Sequence, residues 1–151
     1  MNGLTRANLL AFMRQQKYGV QASVSVSGTP QIAVIGVVVS DQFEVFFDTL
    51  QSTRKAVNLR QNPTIALALG PTSDVTERSV QMEGTADEPR GDDLNRLLDL
   101  YFTCFPDGRD RQRWPGITYF RVAPVWLRYS DYSVSPPLIV ELSAADLAQL
   151  G

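Results

Sequence analysis

Two hydroxyls and two cations occupy consecutive positions at Ser52-Thr53-Arg54-Lys55, a grouping that can hold an anion when backbone N–H groups lie beside it. Just upstream, Val45-Phe46-Phe47 is a short apolar, aromatic run that reads as a buried strand. Ser52 is a good N-cap and residues 53–61 carry no breaker, so a helix of about two to three turns is expected. Asn62-Pro63 ends it, since the residue before a proline is driven out of the helical region. Arg54 and Lys55 therefore fall in the first turn, where unpaired amides already carry partial positive charge. Each cation is unfavourable there by about 0.3–1 kcal/mol, and a broken local rule often marks a functional site. An external anion held by the amides, both hydroxyls, the Arg54 fork and the Lys55 ammonium would compensate. Contact of two solvated cations with Asp48 or Glu44 would compensate as well, and local chemistry does not choose between these readings.

The composition narrows what else the chain can do. There is no histidine among the 151 residues, which removes Ser-His-Asp and Cys-His nucleophilic sites, histidine-bound zinc and histidine-ligated heme. A single cysteine, Cys104, excludes an internal disulfide and a thiolate metal cage. Chemistry must rest on a bound cofactor or on carboxylate, Lys, Tyr or Ser groups. A net charge of -2 offers no field for nucleic acid or an acidic membrane. With 44% apolar and 20% charged residues, the chain reads as one ordinary globular domain over residues 1–151. Its longest apolar run, residues 32–39, is far short of the roughly 18 needed to span a bilayer. The apolar stretch near the N-terminus is too short and polar for a secretory signal, so a cytoplasmic protein is expected. Neither a P-loop nor a dinucleotide glycine fingerprint is present.

The surrounding pattern describes what must position these groups. Thr5 can cap a helix over residues 6–16. Residues 18–27 alternate as a half-buried strand, and Gly28-Thr29-Pro30 reads as a hairpin connection. Residues 31–39 then read as one strand apolar on both faces, which needs two covers; Gly36 within it allows a close approach to the backbone. Strands follow over residues 64–69 and 75–86, the second with Val80 and Met82 opposite Ser79, Gln81 and Glu83. An amphipathic helix begins after Pro89 and ends before Pro106-Asp107-Gly108. Arg109, Arg111 and Arg113 read as a solvated loop, with gathering of an anionic substrate as the alternative. Residues 117–123 and 125–129 read as the last strands, with a bulge or edge at Pro124, and Ser143 to Asp146 as a capped tail helix.

The segment Phe47-Asp48-Thr49-Leu50-Gln51-Ser52-Thr53-Arg54-Lys55-Ala56-Val57-Asn58-Leu59-Arg60-Gln61-Asn62-Pro63 resembles the phosphate-binding segment of the pyridoxamine 5'-phosphate oxidase-like, FMN-binding split-barrel family. Gly28-Thr29-Pro30-Gln31, Val80-Gln81-Met82-Glu83-Gly84-Thr85-Ala86 and Tyr119-Phe120-Arg121-Val122-Ala123-Pro124 fall in the order that family shows. The resemblance implies a mainly β (α+β) fold, a six-stranded Greek-key split β-barrel with flanking helices. It also implies a homodimer with FMN sites at the interface and flavin-dependent oxidoreductase activity on a small-molecule substrate.

Carried over by position, Arg54 and Lys55 match the phosphate-binding pair, with Ser52 and Thr53 beside them. Phe47, Asp48 and Thr49 match the strand end that lines the phosphate and ribityl chain; one extra residue before the cation pair leaves open which of Asp48 and Thr49 points inward. The backbone at Ile35 and Gly36 corresponds to the stretch lying against the flavin. Ser79 stands where the oxidases carry a flavin-contacting glutamine, and Gln81, on the same strand face, can substitute. Residues 31–39 lack the basic residues of the oxidases, Ser130 replaces their tryptophan, and no Arg-x-His motif exists here. These departures argue against oxidation of pyridoxamine phosphate itself. A deazaflavin reductase on the same scaffold and a non-catalytic flavin-binding dimer remain as alternatives.

Overall fold

The computed structural model describes residues 3–70 and 77–151. Thr5 caps α1 (Arg6–Gln15) by accepting from the Asn8 amide, and the helix turns Leu9, Leu10, Phe12 and Met13 into the core. β1 (Tyr18–Val24) and β2 (Pro30–Gly36) form the predicted hairpin. Gly28 takes a φ of 86° in its turn, a left-handed value that only glycine adopts freely.

Residues 31–39 are not the single strand their composition predicts. β2 ends at Gly36, and β3 (Val38–Val39) pairs with β4 (Val45–Leu50) rather than with β1. Two contacts make the break. The Val37 amide donates to the Lys17 carbonyl at 3.0 Å, and Phe105 lies over Gly36, where a Cβ would sit 2.9 Å from the ring. The close approach expected at Gly36 is therefore made by an aromatic ring of the same chain.

With β5 (Thr64–Leu69), β6 (Arg78–Asp87) and β7 (Ile117–Asp131), the strand order is β2-β1-β5-β6-β7-β4-β3. Every pairing is antiparallel. β2 opens this path and β3 closes it with only Val37 between them, so the sheet curls on itself and the chain joins its two edges. Counted as one bent ribbon, β2 and β3 complete the six strands of a Greek-key split barrel. β8 (Leu138–Ser143), which sequence pattern did not announce, adds to the far side of β7.

Alternation inside the barrel follows the sequence. Ile65, Leu67 and Leu69 of β5 and Val80 and Met82 of β6 are buried, while Ala66, Ala68, Gln81 and Glu83 face outward. β6 starts at Arg78; residues 75 and 76, where the strand was expected to begin, lie outside the described residues. β7 is one strand where two were expected, and it passes the predicted irregularity at Pro124 through a register shift between Glu83 and Gly84. Among the described residues no helix is long and apolar enough to cross a membrane.

α3 (Gly91–Cys104) packs Leu97, Tyr101 and Phe102, with Phe105 beyond its end, against Val38 and Phe46. This second, smaller core lies on the opposite face of β4 from Val45 and Phe47, which belong to the barrel interior. α5 (Ala144–Gln149) closes the described chain with the predicted Ser143–Asp146 capping box.

Glu44 pins the start of β4 to both flanking layers. Its carboxylate accepts from Ser40 at 2.7 Å and pairs with Arg96 at 3.0 Å and Arg121 at 3.5 Å. Burial pushes this carboxyl upward, but the hydrogen bonds from Arg96 and Ser40 and the charge of Arg121 outweigh it and hold it below its ordinary value of 4.5. A depressed folded-state value means the stabilisation is complete above pH 4.5 and is lost as acidification protonates the folded carboxyl. Thermal unfolding of the wild type should therefore weaken below that pH, with a flatter acid limb in Glu44→Gln. Superimposable acid limbs would contradict this.

Candidate functional site

The turn between β4 and α2 (Arg54–Gln61) is built by threonines. Thr53, not Ser52, caps the helix: its hydroxyl accepts from the Ala56 amide at 3.4 Å. The same hydroxyl donates to the Leu50 carbonyl at 2.9 Å and lies 3.0 Å from the Thr49 hydroxyl. Since Thr53 has one O–H and spends it on Leu50, Thr49 is the donor in that pair. By type Ser52 is the better cap, yet Thr53 takes the role, with its hydroxyl also bonded to the buried Thr49 across the turn. Parity along β4 then sends Phe47 and Thr49 toward the barrel and Asp48 to the other face with Phe46.

This leaves a set of donors without acceptors. The amides of Arg54 and Lys55 open the helix and bond to no carbonyl among the described residues. The Arg54 side chain is exposed and makes no ion pair among them, and the Ser52 hydroxyl is also exposed. Lys55 is half-buried; loss of solvation lowers its pKa, and the nearby Asp48 carboxylate opposes that change. The first turn carries no acidic residue. A group with two or three anionic oxygens fits this donor set, because neither Arg54 nor Lys55 makes an ion pair among the described residues. The helix is held in place from below by Asn58, 5% exposed, whose amide nitrogen donates to Ser23 at 3.0 Å and Gln31 at 2.8 Å. Those bonds fix α2 to β1 and β2, the hairpin on the far side of the barrel path from β4.

Asp48 is committed elsewhere. Arg111 reaches it through Nε at 2.7 Å, with a second nitrogen on the Asp107 carboxylate and a third donating to the Tyr101 hydroxyl at 3.2 Å. Arg111 ends a short helix, α4 (Gly108–Arg111), where the sequence predicts a solvated loop. Only Arg109 and Arg113 keep that exposed character, and Arg109 lies over the Phe102 ring. No local signal announces the Asp48–Arg111 pair, since its members sit 63 residues apart. The Tyr119 hydroxyl, opposite Asp48 on β7, is buried without a partner among the described residues. Burial, then the Asp48 charge, raises its pKa.

The other expected site residues fall in two further places. Ile35 is buried in the barrel core, and Gly36 lies beneath Phe105. Gln81 stands on the outer face of the sheet, where two rows of paired residues cross the strands. One row runs Val34–Val20–Ala68–Gln81–Arg128 and the other Ile32–Ala22–Ala66–Glu83–Trp126. The small alanines leave a groove of about 470 Å³. Beside it Ile32 and Val34 are 74% and 70% exposed, an apolar edge that a solvated sheet face does not require.

Comparison with known proteins agrees with this architecture. None of the curated protein sequences compared matches the chain. Among solved structures, a heme binding protein from Mycobacterium smegmatis superposes with a TM-score of 0.79 at 13% identity. That alignment covers 96% of this chain and 59% of the other, so the chain spans less than two thirds of that protein's length. A pyridoxamine 5'-phosphate oxidase-related, FMN binding protein from Nostoc punctiforme superposes at 0.68 with 15% identity, covering 95% and 93%. A heme storage protein from Vibrio cholerae does so at 0.66 with 17% identity, covering 78% and 88%. At these identities the likeness is one of fold. The sequence model described as pyridoxamine 5'-phosphate oxidase matches residues 5–131, all six barrel strands and the whole β4–α2 turn, and the chain belongs to that family.

Proposed function

We propose that this chain is a cytoplasmic, homodimeric FMN-binding protein acting as a flavin-dependent oxidoreductase on a small-molecule substrate. The observation that carries the reading is the donor set at the start of α2: two amides without a backbone partner, the Ser52 hydroxyl, the Arg54 guanidinium and the Lys55 ammonium, with no ion pair to either cation among the described residues. Bound there, a flavin phosphate would be held by charge-assisted hydrogen bonds, and Thr49, Thr53 and the Asn58 anchor would keep the turn in shape. The flavin, when bound, supplies hydride or electron transfer; the protein binds and orients it. The exposed Ile32 and Val34 supply the apolar face for a second copy of the chain, with Gln81 and the adjoining groove brought to the interface. No side chain is assigned as general acid or base.

Titration with FMN, followed by addition of NADH or NADPH, tests this reading. A yellow dimer whose flavin is bleached by the reductant supports it, and a dimer that refuses FMN overturns it. Val34→Lys should yield a monomer with weakened FMN binding; an unchanged dimer would place the interface elsewhere. Heme has a specific observation behind it, since two of the superposed structures are named for heme. With no histidine in this chain, heme iron would have to take another side chain as its ligand. Competition among FMN, a deazaflavin and hemin separates the three cofactors directly.

A further inference from the structure

We propose that Arg111 is a charge-compensating positioning residue for the anion cradle, cancelling the Asp48 carboxylate that the chain places beside it. The inference rests on the reading of the α2 N-terminus as a phosphate site, and it explains why an acidic residue is tolerated so close to one.

Asp48 lies in β4 (Val45–Leu50), the strand that leads into the cradle, and is 16% exposed at its side chain, so water screens it poorly. Its field reaches Lys55, where it opposes the loss of charge that burial favours. That helps the ammonium stay protonated, but the same negative charge repels a phosphate arriving at the same place. Arg111, 20% exposed, meets the carboxylate through a 2.7 Å hydrogen bond. It is itself oriented by Asp107 at the start of α4 and by the Tyr101 hydroxyl on α3. Three elements thus converge to hold one guanidinium over one carboxylate whose charge reaches Lys55. A pair serving only to fasten α4 to β4 gains nothing from that location. A pair that sets the local potential does, because it leaves Arg54 and Lys55 as the uncompensated charges.

The two roles give opposite predictions for the aspartate. The quantity to measure is the ratio of FMN to riboflavin affinity at low ionic strength, which isolates the phosphate contribution from flavin stacking and from general loss of structure. Arg111→Met should lower that ratio about fivefold and Asp48→Asn should raise it severalfold, with both shifts shrinking at high salt. The double variant should return close to the wild-type ratio, and Arg111→Lys, which keeps the charge, should fall between wild type and Arg111→Met. Should Arg111→Met fail to fold, Asp48→Asn and Arg111→Lys decide the matter alone. A ratio that does not rise in Asp48→Asn overturns the compensating role and leaves an ordinary structural ion pair. A wild-type protein that binds FMN and riboflavin equally overturns the phosphate reading itself, and this inference with it.

Discussion

Phe46→Ala is expected to destabilise the fold by about 3–5 kcal/mol, the range for emptying a buried aromatic site. Phe46 is fully buried on the face of β4 that meets α3. Its ring stacks on Tyr119 at 5.6 Å with planes 1° apart, and it meets the edge of Tyr101 at 5.8 Å. Those contacts are the centre of the smaller core, whose other buried members are Val38, Leu97, Phe102 and Phe105, with Leu94, Leu98 and Leu100 packed against it. Tyr101 also orients Arg111, so the loss should reach the Asp48 side of the cradle as well as global stability. Urea unfolding measures the first effect. A change below about 1 kcal/mol would mean that α3 is not seated on β4 as described.

Arg54→Ala should weaken FMN binding by about ten- to a hundredfold, the value of a charge-assisted hydrogen bond to phosphate. Because Arg54 is exposed and bonds to no described residue, the substitution should leave stability within about 0.5 kcal/mol. Riboflavin, which lacks the phosphate, should bind as before. The pattern to look for in parallel titrations is therefore a change in one ligand and not in the other. Equal losses for both would indicate damage to the turn, and no loss for FMN would remove Arg54 from the site.

Much of this arrangement is legible along the chain because it is local. The Thr5 cap, the hairpin at Gly28, the parity of β6, the irregularity at Pro124 and the Ser143 capping box each follow from residues a few positions apart. So does the helix that begins with two cations, since Asn62-Pro63 must end it. What escaped is decided across the fold. The break at Val37 depends on Lys17 and Phe105, distant in sequence; within the apolar run only Gly36 hints at it, and a glycine there does not say that the strand ends. By type Ser52 is the better cap, and only the fold shows Thr53 in that role, bonded to the buried Thr49. The arginine cluster has the composition of a solvated loop, and only the strand it lands on shows that Arg111 serves Asp48. β8 reads weakly because apolar Ile139 is exposed on its outer side, and its partner is the C-terminal half of β7, more than a strand's length away in sequence from any local cue.

The opening turn of α2 is the proposed seat of a phosphate group. A crystal structure of the protein soaked with FMN addresses that claim most directly. The result expected is a phosphate within hydrogen-bonding distance of the Arg54 guanidinium, the Lys55 ammonium and the two leading amides, with a second copy of the chain against the exposed face of β2. A flavin seated elsewhere, or a phosphate in solvent with Arg54 and Lys55 turned away from it, would contradict it.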